Sequence, residues 1–507
     1  MSLNFLLYFE RTEWRAIEIM ECKVIPFHTV EERSKTDADK AEALLSQAME
    51  GFHKKLVVLD DDPTGVQTVH DVSVYTDWSE QSLEEGMQEE NSLFFVLTNS
   101  RSFSASQTEK EHKILAERAV KAAAACGKKL LLVSRGDSTL RGHYPLELEA
   151  LREAVEQQTG RPVHGQILCP FFREGGRYTI NSVHYVKEGD MLVPAGQTEF
   201  ARDKTFGYHS SHLGEYVEEK SGGRYRKEDS IYITLSMLRA QKLEEITQLL
   251  LQAENFRPVL VDAAAQSDVE TFAICLLRAI KAGKEFLIRS AAALPKVLGN
   301  ISDRPLLDRQ ELLGAEADEA AGENYGGIVL IGSHVKKTTL QLEELKKTRV
   351  PAEFLEFNVN TCFRKGGLAE ETRRVIREAE EAMNRGKTAV VYTSRTLLAP
   401  EGMNGEEKLK LSVEISDAVT GVIAGLNRKP AFLIAKGGIT SSDVGTKALK
   451  VRKALAAGQV QPGIPVWKTG PESRFPGLAY IIFPGNVGER DTLKKIVELL
   501  APASLEE

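Results

Sequence analysis

Short apolar runs alternate with longer amphipathic stretches along most of this 507-residue chain. Between about residues 54 and 300, β-type runs fall near 55–59, 72–76, 93–98, 129–133, 165–169 and 258–262. Stretches of helical period lie near 105–126, 145–158, 236–253 and 268–283. Alternation of this kind predicts a mostly parallel sheet with helices on both faces. The pattern pauses at 301–324, where Gly314-Ala-Glu-Ala-Asp-Glu-Ala-Ala-Gly-Glu-Asn324 is acidic and rich in small side chains, the composition of a linker. It restarts at 325, with strands expected at 327–331, 353–357, 388–392, 431–434 and 479–483. Helices are expected there at 336–347, 368–385, 406–427, 442–456 and 490–500. The chain therefore reads as a charged N-terminal extension (1–53), an α/β domain (54–300), a linker (301–324) and a second α/β domain (325–507). Open parallel sheets bind ligands beyond the carboxyl ends of their strands, so the active site is expected in the interdomain cleft.

Three expected strand ends in the first domain are crowded with charge. The run Lys55-Leu-Val-Val-Leu59 leads into Asp60-Asp61-Asp62-Pro63-Thr64-Gly65, and Ser92-Leu-Phe-Phe-Val-Leu-Thr98 into Asn99-Ser100-Arg101. The third, Lys128-Lys-Leu-Leu-Leu-Val133, opens into Arg135-Gly136-Asp137-Ser138-Thr139-Leu140-Arg141-Gly142. Guanidinium forks pair bidentately with carboxylate or phosphate, while Asp, Ser and Thr hydrogen-bond hydroxyls. A small polyhydroxylated anion, such as a sugar acid, suits that mixture. The octet alone reads equally well as a polar loop with a structural Arg–Asp pair; three such ends on neighbouring strands favour the binding reading. Farther on, Thr198-Glu-Phe-Ala-Arg-Asp-Lys-Thr-Phe-Gly-Tyr208 is either a loop that closes over a substrate or a packing segment.

The second domain offers glycine instead of charge. Gly332-Ser333-His334, Lys436-Gly437-Gly438-Ile439-Thr440 and Pro484-Gly485-Asn486-Val487-Gly488 each follow a strand and precede a helix. Helix N-termini present unpaired amides and partial positive charge, and glycine lets a phosphate come close to the backbone. Together the three ends suit a nucleotide. Neither a Walker motif nor a GxGxxG element accompanies them, and Thr393-Ser394-Arg395 reads as a further polar contributor or, more in keeping with its position, a capping turn.

Charge and composition narrow the classes. A formal charge of −8 without a basic stripe argues against a nucleic-acid surface. No apolar stretch reaches the length of a membrane span. The five cysteines are scattered and lack metal-ligand or framework spacing, which fits a reducing cytoplasm.

Taken in order, Asp61-Asp62-Pro63-Thr64-Gly65, Asn99-Ser100-Arg101, Asp137-Ser138-Thr139-Leu140-Arg141-Gly142, Phe200-Ala201-Arg202-Asp203, Gly332-Ser333, Lys436 to Thr440 and Pro484-Gly485-Asn486 resemble the motif series of the four-carbon acid sugar kinases. The resemblance spans roughly residues 55–490 and implies an N-terminal sugar-acid domain, a C-terminal nucleotide-binding domain and use of ATP with Mg²⁺. It implies phosphorylation of the terminal hydroxyl of threonate, erythronate or a 3-oxo-tetronate in carbohydrate catabolism. The substrate-binding residues it points to are Asp61, Asp62, Arg101, Arg135, Asp137, Ser138, Thr139 and Arg141, with Asp62 or Asp137 as catalytic base. The ATP-binding residues are Ser333, Lys436, Gly437, Gly438, Ile439, Thr440, Gly485 and Asn486; no metal ligand is assigned. Arg135 stands where the family usually has Lys, and the first fifty residues have no counterpart. Expected partners are the sugar acid and ATP alone, with a homodimer left open. The alternatives are a non-catalytic sugar-acid or nucleotide sensor and a sugar-acid dehydrogenase or isomerase.

Overall fold

The computed structural model describes residues 23–30, 35–314, 325–396 and 405–501. Much of the expected extension, 1–22 and 31–34, and residues 315–324 of the expected linker lie outside these. By contacts the chain divides into two compact units, Met1–Asp61 with Trp78–Ser302, and Asp62–Asp77 with Asp303–Glu507. Residues 62–77, which fall inside the range expected for the first domain, thus pack with the second unit.

Seven strands of the first unit form a parallel sheet in the order Ile231–Ile233, Arg257–Val261, Gly165–Cys169, Phe286–Ser290, Lys129–Arg135, Lys54–Asp60 and Leu93–Leu97. Helices cover both faces of such a sheet, so its inner strands are apolar throughout rather than alternating; Leu56 to Leu59 and Leu93 to Leu97 are all buried. Register keeps the carboxyl ends level: Asp60 pairs with both Arg135 and Leu97, and Ser290 pairs with Arg135.

Several parts of this unit differ from the sequence reading. The strand Phe286–Ser290 was not expected, nor was a small antiparallel sheet in the order Ile25–Pro26, Met191–Pro194, Val183–Glu188 and Arg177–Ile180. Its inner hairpin turns at Asn181 and Ser182, with φ of 51° and 63°, the paired left-handed conformation of a two-residue hairpin loop. The helix expected over 236–253 is two helices, Leu235–Arg239 and Leu243–Leu251, broken where Gln241 takes φ 51°.

The second unit's sheet runs Val72–Tyr75, Lys453–Gln461, Ile464–Thr469, Ala479–Phe483, Leu433–Lys436, Ile328–Ile331, Thr388–Thr393 and Ala352–Phe357. Pairing is antiparallel up to Ala479–Phe483 and parallel beyond it. Val329, Ile331, Ile434, Ile481 and Phe483 join Leu493, Ile496 and Val497 of the helix Thr492–Leu500 in its core. The helix expected over 442–456 is overturned in its second half. Gly438–Asp443 continues through Val444–Ala448 and stops, and Lys453 begins a strand. Ala454-Leu-Ala-Ala457 favours a helix locally, but pairing of Lys453–Ala456 with Val72–Tyr75 overrides that preference. Both units belong to the α/β class, with a mostly parallel sheet flanked by helices. No helix among the described residues is long and apolar enough to cross a membrane.

Candidate functional site

In the first unit, the level strand ends gather Asp61, Arg101, Arg135, Asp137, Thr139 and Arg141 into one network. Asp137 lies at its centre. Arg141 grips it bidentately, Nε to Oδ2 at 2.8 Å and Nη2 to Oδ1 at 3.2 Å, and Arg101 Nη1 approaches Oδ1 at 3.5 Å. The Thr139 hydroxyl donates to the same carboxylate. Burial alone would raise the Asp137 pKa, but the charges of Arg141 and Arg101 outweigh it and hold the carboxyl far below its usual range. Asp61 is tied in by Arg101 Nε at 3.3 Å and by the Asp137 backbone N–H, which donates to Oδ2 at 3.0 Å.

The three arginines differ in exposure. Arg101 and Arg141 side chains are 20% and 22% exposed, whereas Arg135 is 3% exposed and lies 3.4 Å from Asp60 and 3.8 Å from Asp61. Arg101 and Arg141 can thus reach a ligand, and Arg135 neutralises the acids beneath. Asp62 turns its Oδ1 back to its own turn, accepting from the Thr64 N–H at 2.7 Å. The carboxylates of the consecutive residues Asp60, Asp61 and Asp62 put oxygens within 4.8 Å of one another, donors of the type Mg²⁺ prefers, although Arg135 already counters two of them.

The octet's shape is imposed from outside it. Leu140 has φ 67°, a costly conformation for that side chain, and its carbonyl accepts from Tyr216 Oη at 2.7 Å. Tyr208 Oη donates to the Thr139 carbonyl at 2.7 Å, and His184 Nε2 lies 2.8 Å from that of Ser138. Beneath runs Arg289, absent from the sequence-based site. It pairs with buried Glu147 and donates to Ser134 Oγ at 3.3 Å and to the Arg141 carbonyl at 3.0 Å. A side chain at Gly136 would collide with its guanidinium. The one signal for it was a single Arg inside the apolar run Phe286-Leu-Ile-Arg289. The segment 198–208 contributes too: Phe200 lies under Arg141 at 5.1 Å, and Asp203 sits 3.6 Å from the Arg141 guanidinium.

In the second unit, the three glycine-bearing ends follow Ile328–Ile331, Leu433–Lys436 and Ala479–Phe483, which are adjacent parallel strands. They converge. Gly437 takes φ 126° and donates its N–H to the Phe483 carbonyl at 2.9 Å, while the Thr338 hydroxyl lies 3.2 Å from Ser333 Oγ and 3.3 Å from the Gly485 carbonyl. The first intrahelical bond beyond Gly437 is Ser441 N–H to the Gly437 carbonyl at 2.8 Å, so the amides of Gly438, Ile439 and Thr440 precede the helical ladder. Ile439 is 71% exposed. Lys436 acts from below: fully buried over the Phe483 ring, it donates to the Pro484 carbonyl at 2.5 Å, and burial pushes its pKa well below the ordinary lysine value. The Asn486 carbonyl is 3.4 Å from Lys337 Nζ. Ser394 serves the turn, accepting from the Val359 N–H at 3.2 Å. Arg395 does more than cap; it donates to the Ser333 carbonyl at 2.6 Å, and its Nε and Nη2 have no partner among the described residues.

Residues 56–298 match the family model of a sugar-binding N-terminal domain, and residues 328–493 that of a nucleotide-binding C-terminal domain. The chain belongs to the four-carbon acid sugar kinase family. Among solved structures, a Salmonella typhimurium LT2 protein with the provisional name tRNA synthase is similar at TM-score 0.61 and 16% identity, over 87% of this chain and 98% of its own. Haemophilus influenzae protein HI1011, of the DUF1537 family, is similar at TM-score 0.55 and 16% identity, over 87% and 99%. At such identities the likeness bears on fold. No curated protein matches the chain in sequence.

For this kinase-family member, the glycine ends of the nucleotide-binding unit give a direct test. A Cβ at position 332 would overlap Thr440 Oγ1, so the Thr440 side chain or the turn that carries it must shift. If the cradle takes ATP, Gly332→Val is expected to abolish thermal stabilisation by ATP while leaving stabilisation by a sugar ligand intact. Equal ATP shifts in both proteins would show that this cradle does not hold the nucleotide.

Proposed function

We propose that this protein is an ATP-dependent kinase that phosphorylates the terminal hydroxyl of a four-carbon sugar acid, threonate, erythronate or a 3-oxo-tetronate, in carbohydrate catabolism. The reading is supported above all by two partly exposed guanidiniums, Arg101 and Arg141, converging on one buried carboxylate, Asp137, in the sugar-binding unit. Arg101 and Arg141 hold the substrate carboxylate, and Asp61, Asp137, Ser138 and Thr139 order its hydroxyls. Arg135 stays below, on Asp60 and Asp61. In the nucleotide-binding unit, Ser333, the amides of Gly438, Ile439 and Thr440, and the Gly485-Asn486 turn hold ATP, with Gly437 and Lys436 shaping the cradle. Mg²⁺ enters with ATP and offsets the charge of its phosphates.

Of the two candidate bases, Asp137 is the weaker. Both Asp137 oxygens are occupied by guanidinium donors and its proton affinity is strongly depressed, so it is a poor acceptor for a hydroxyl proton. Asp62→Asn is expected to lower kcat by about 10²–10⁴-fold, the range general-base catalysis supplies. ADP release with ATP, Mg²⁺ and a panel of D- and L-threonate, D- and L-erythronate, 3-oxo-tetronates and neutral sugars tests the whole reading. Turnover confined to one four-carbon acid and lost in Asp62→Asn supports it. Silence across the panel overturns the kinase assignment, and full turnover by Asp62→Asn removes Asp62 as base.

A further inference from the structure

Arg177 opens a strand of the small antiparallel sheet in the sugar-binding unit and is only 7% exposed. One of its donors, Nη1, reaches the Gly175 carbonyl, while Nε has no partner and the side chain forms no ion pair among the described residues. Taking a guanidinium out of water without an anion is costly, so such groups are normally found against a carboxylate or phosphate. Arg177 shares an aromatic ring with the sugar-acid network: its guanidinium lies 5.4 Å from the Phe200 centroid, and that of Arg141 lies 5.1 Å from the same centroid. Burial lowers its pKa to about 10, and the strongest opposing influence is the Asp137 charge. The charges acting on it come from Asp137, Arg141, Tyr208 and Glu188, and the ring it packs on is Phe200, all from other elements.

We infer that Arg177 is a further substrate-binding residue: together with Arg141, which packs on the same Phe200 ring, it engages the carboxylate of the sugar acid and sets the preference for acids over neutral sugars. This deepens the proposed function and rests on it. The remaining donors of the guanidinium suit the planar, two-oxygen geometry of a carboxylate, which a hydroxymethyl group cannot reproduce. The discrimination is large because a neutral analogue leaves the buried cation without its partner.

The test compares wild type, Arg177→Met and Arg177→Lys on threonate and on threitol, its neutral counterpart. Arg177→Met is expected to raise KM for the acid about tenfold or more, leave KM for ATP unchanged and shrink the acid-over-threitol ratio of kcat/KM by the same factor, with Arg177→Lys in between. An unchanged acid KM, or an equal loss on acid and threitol, overturns the inference and leaves Arg177 a packing residue. Should Arg177→Met fail to fold, the Lys variant carries the same ratio. If the wild type turns over no four-carbon acid, the kinase reading fails on its own, and thermal shifts decide about Arg177. Greater stabilisation of wild type by threonate than by threitol, lost in Arg177→Lys, supports the inference; equal or absent shifts overturn it.

Discussion

Asp137→Asn is expected to reduce kcat/KM for the sugar acid by about 10²-fold or more, with KM for ATP unaffected. The substitution keeps the shape of the side chain and removes the negative charge that Arg141 grips and Arg101 approaches. The Arg141 fork, held now by two donors at 2.8 and 3.2 Å, loses its bidentate anchor and with it the fixed position of the donors that face the substrate. Misplacement by an ångström is enough for a loss of this size. Because Asp137 is ionised throughout the usual assay range, the acidic limb of the wild-type pH profile should not belong to it. An Asn variant with normal kcat/KM would show that the arginines are positioned by something else.

Arg289→Met should cost the sugar-binding unit about 3–5 kcal/mol, because it strands Glu147 as a buried charge without its cation. At about 2–4 °C per kcal/mol for a unit of this size, thermal unfolding should move down by roughly 10 °C. Adding Glu147→Gln should restore part of the loss, since the desolvated charge disappears with its partner. If the double variant is as unstable as the single one, the cost lies in packing under Gly136 and Gly142 rather than in the ion pair.

What could be read from the chain depended on how each residue earns its position. Asp61, Arg101, Asp137 and Arg141 stand at the ends of continuous apolar runs, and parallel neighbours bring such ends together whatever their separation in sequence. Arg289 and Glu147 are different. Each is a lone charge on an apolar or amphipathic element, and the two meet across 142 positions, a pairing that only the order of strands in the sheet creates. Arg177 escaped for a related reason: its hairpin is short, and the Asn181-Ser182 turn lacks the Gly that usually marks such loops. The strand at Lys453–Gln461 was hidden by local preference, its alanines and leucine being good helix formers until Val72–Tyr75 supplies a partner. Lys436 ends its strand where the apolar run stops, yet only the structure puts its ammonium beneath the glycine turns.

That partner strand also bears on how the protein can be made. The nucleotide-binding unit borrows Asp62–Asp77 from a part of the chain translated long before the rest of it, so a ribosome must finish the Lys453–Gln461 strand before that edge can close. Expression of residues 303–507 alone would release a polypeptide with a long strand bare along one side, a surface prone to self-association. A soluble isolated nucleotide-binding unit would need residues 62–77 grafted back, as a supplied peptide or by rewiring the order of the chain.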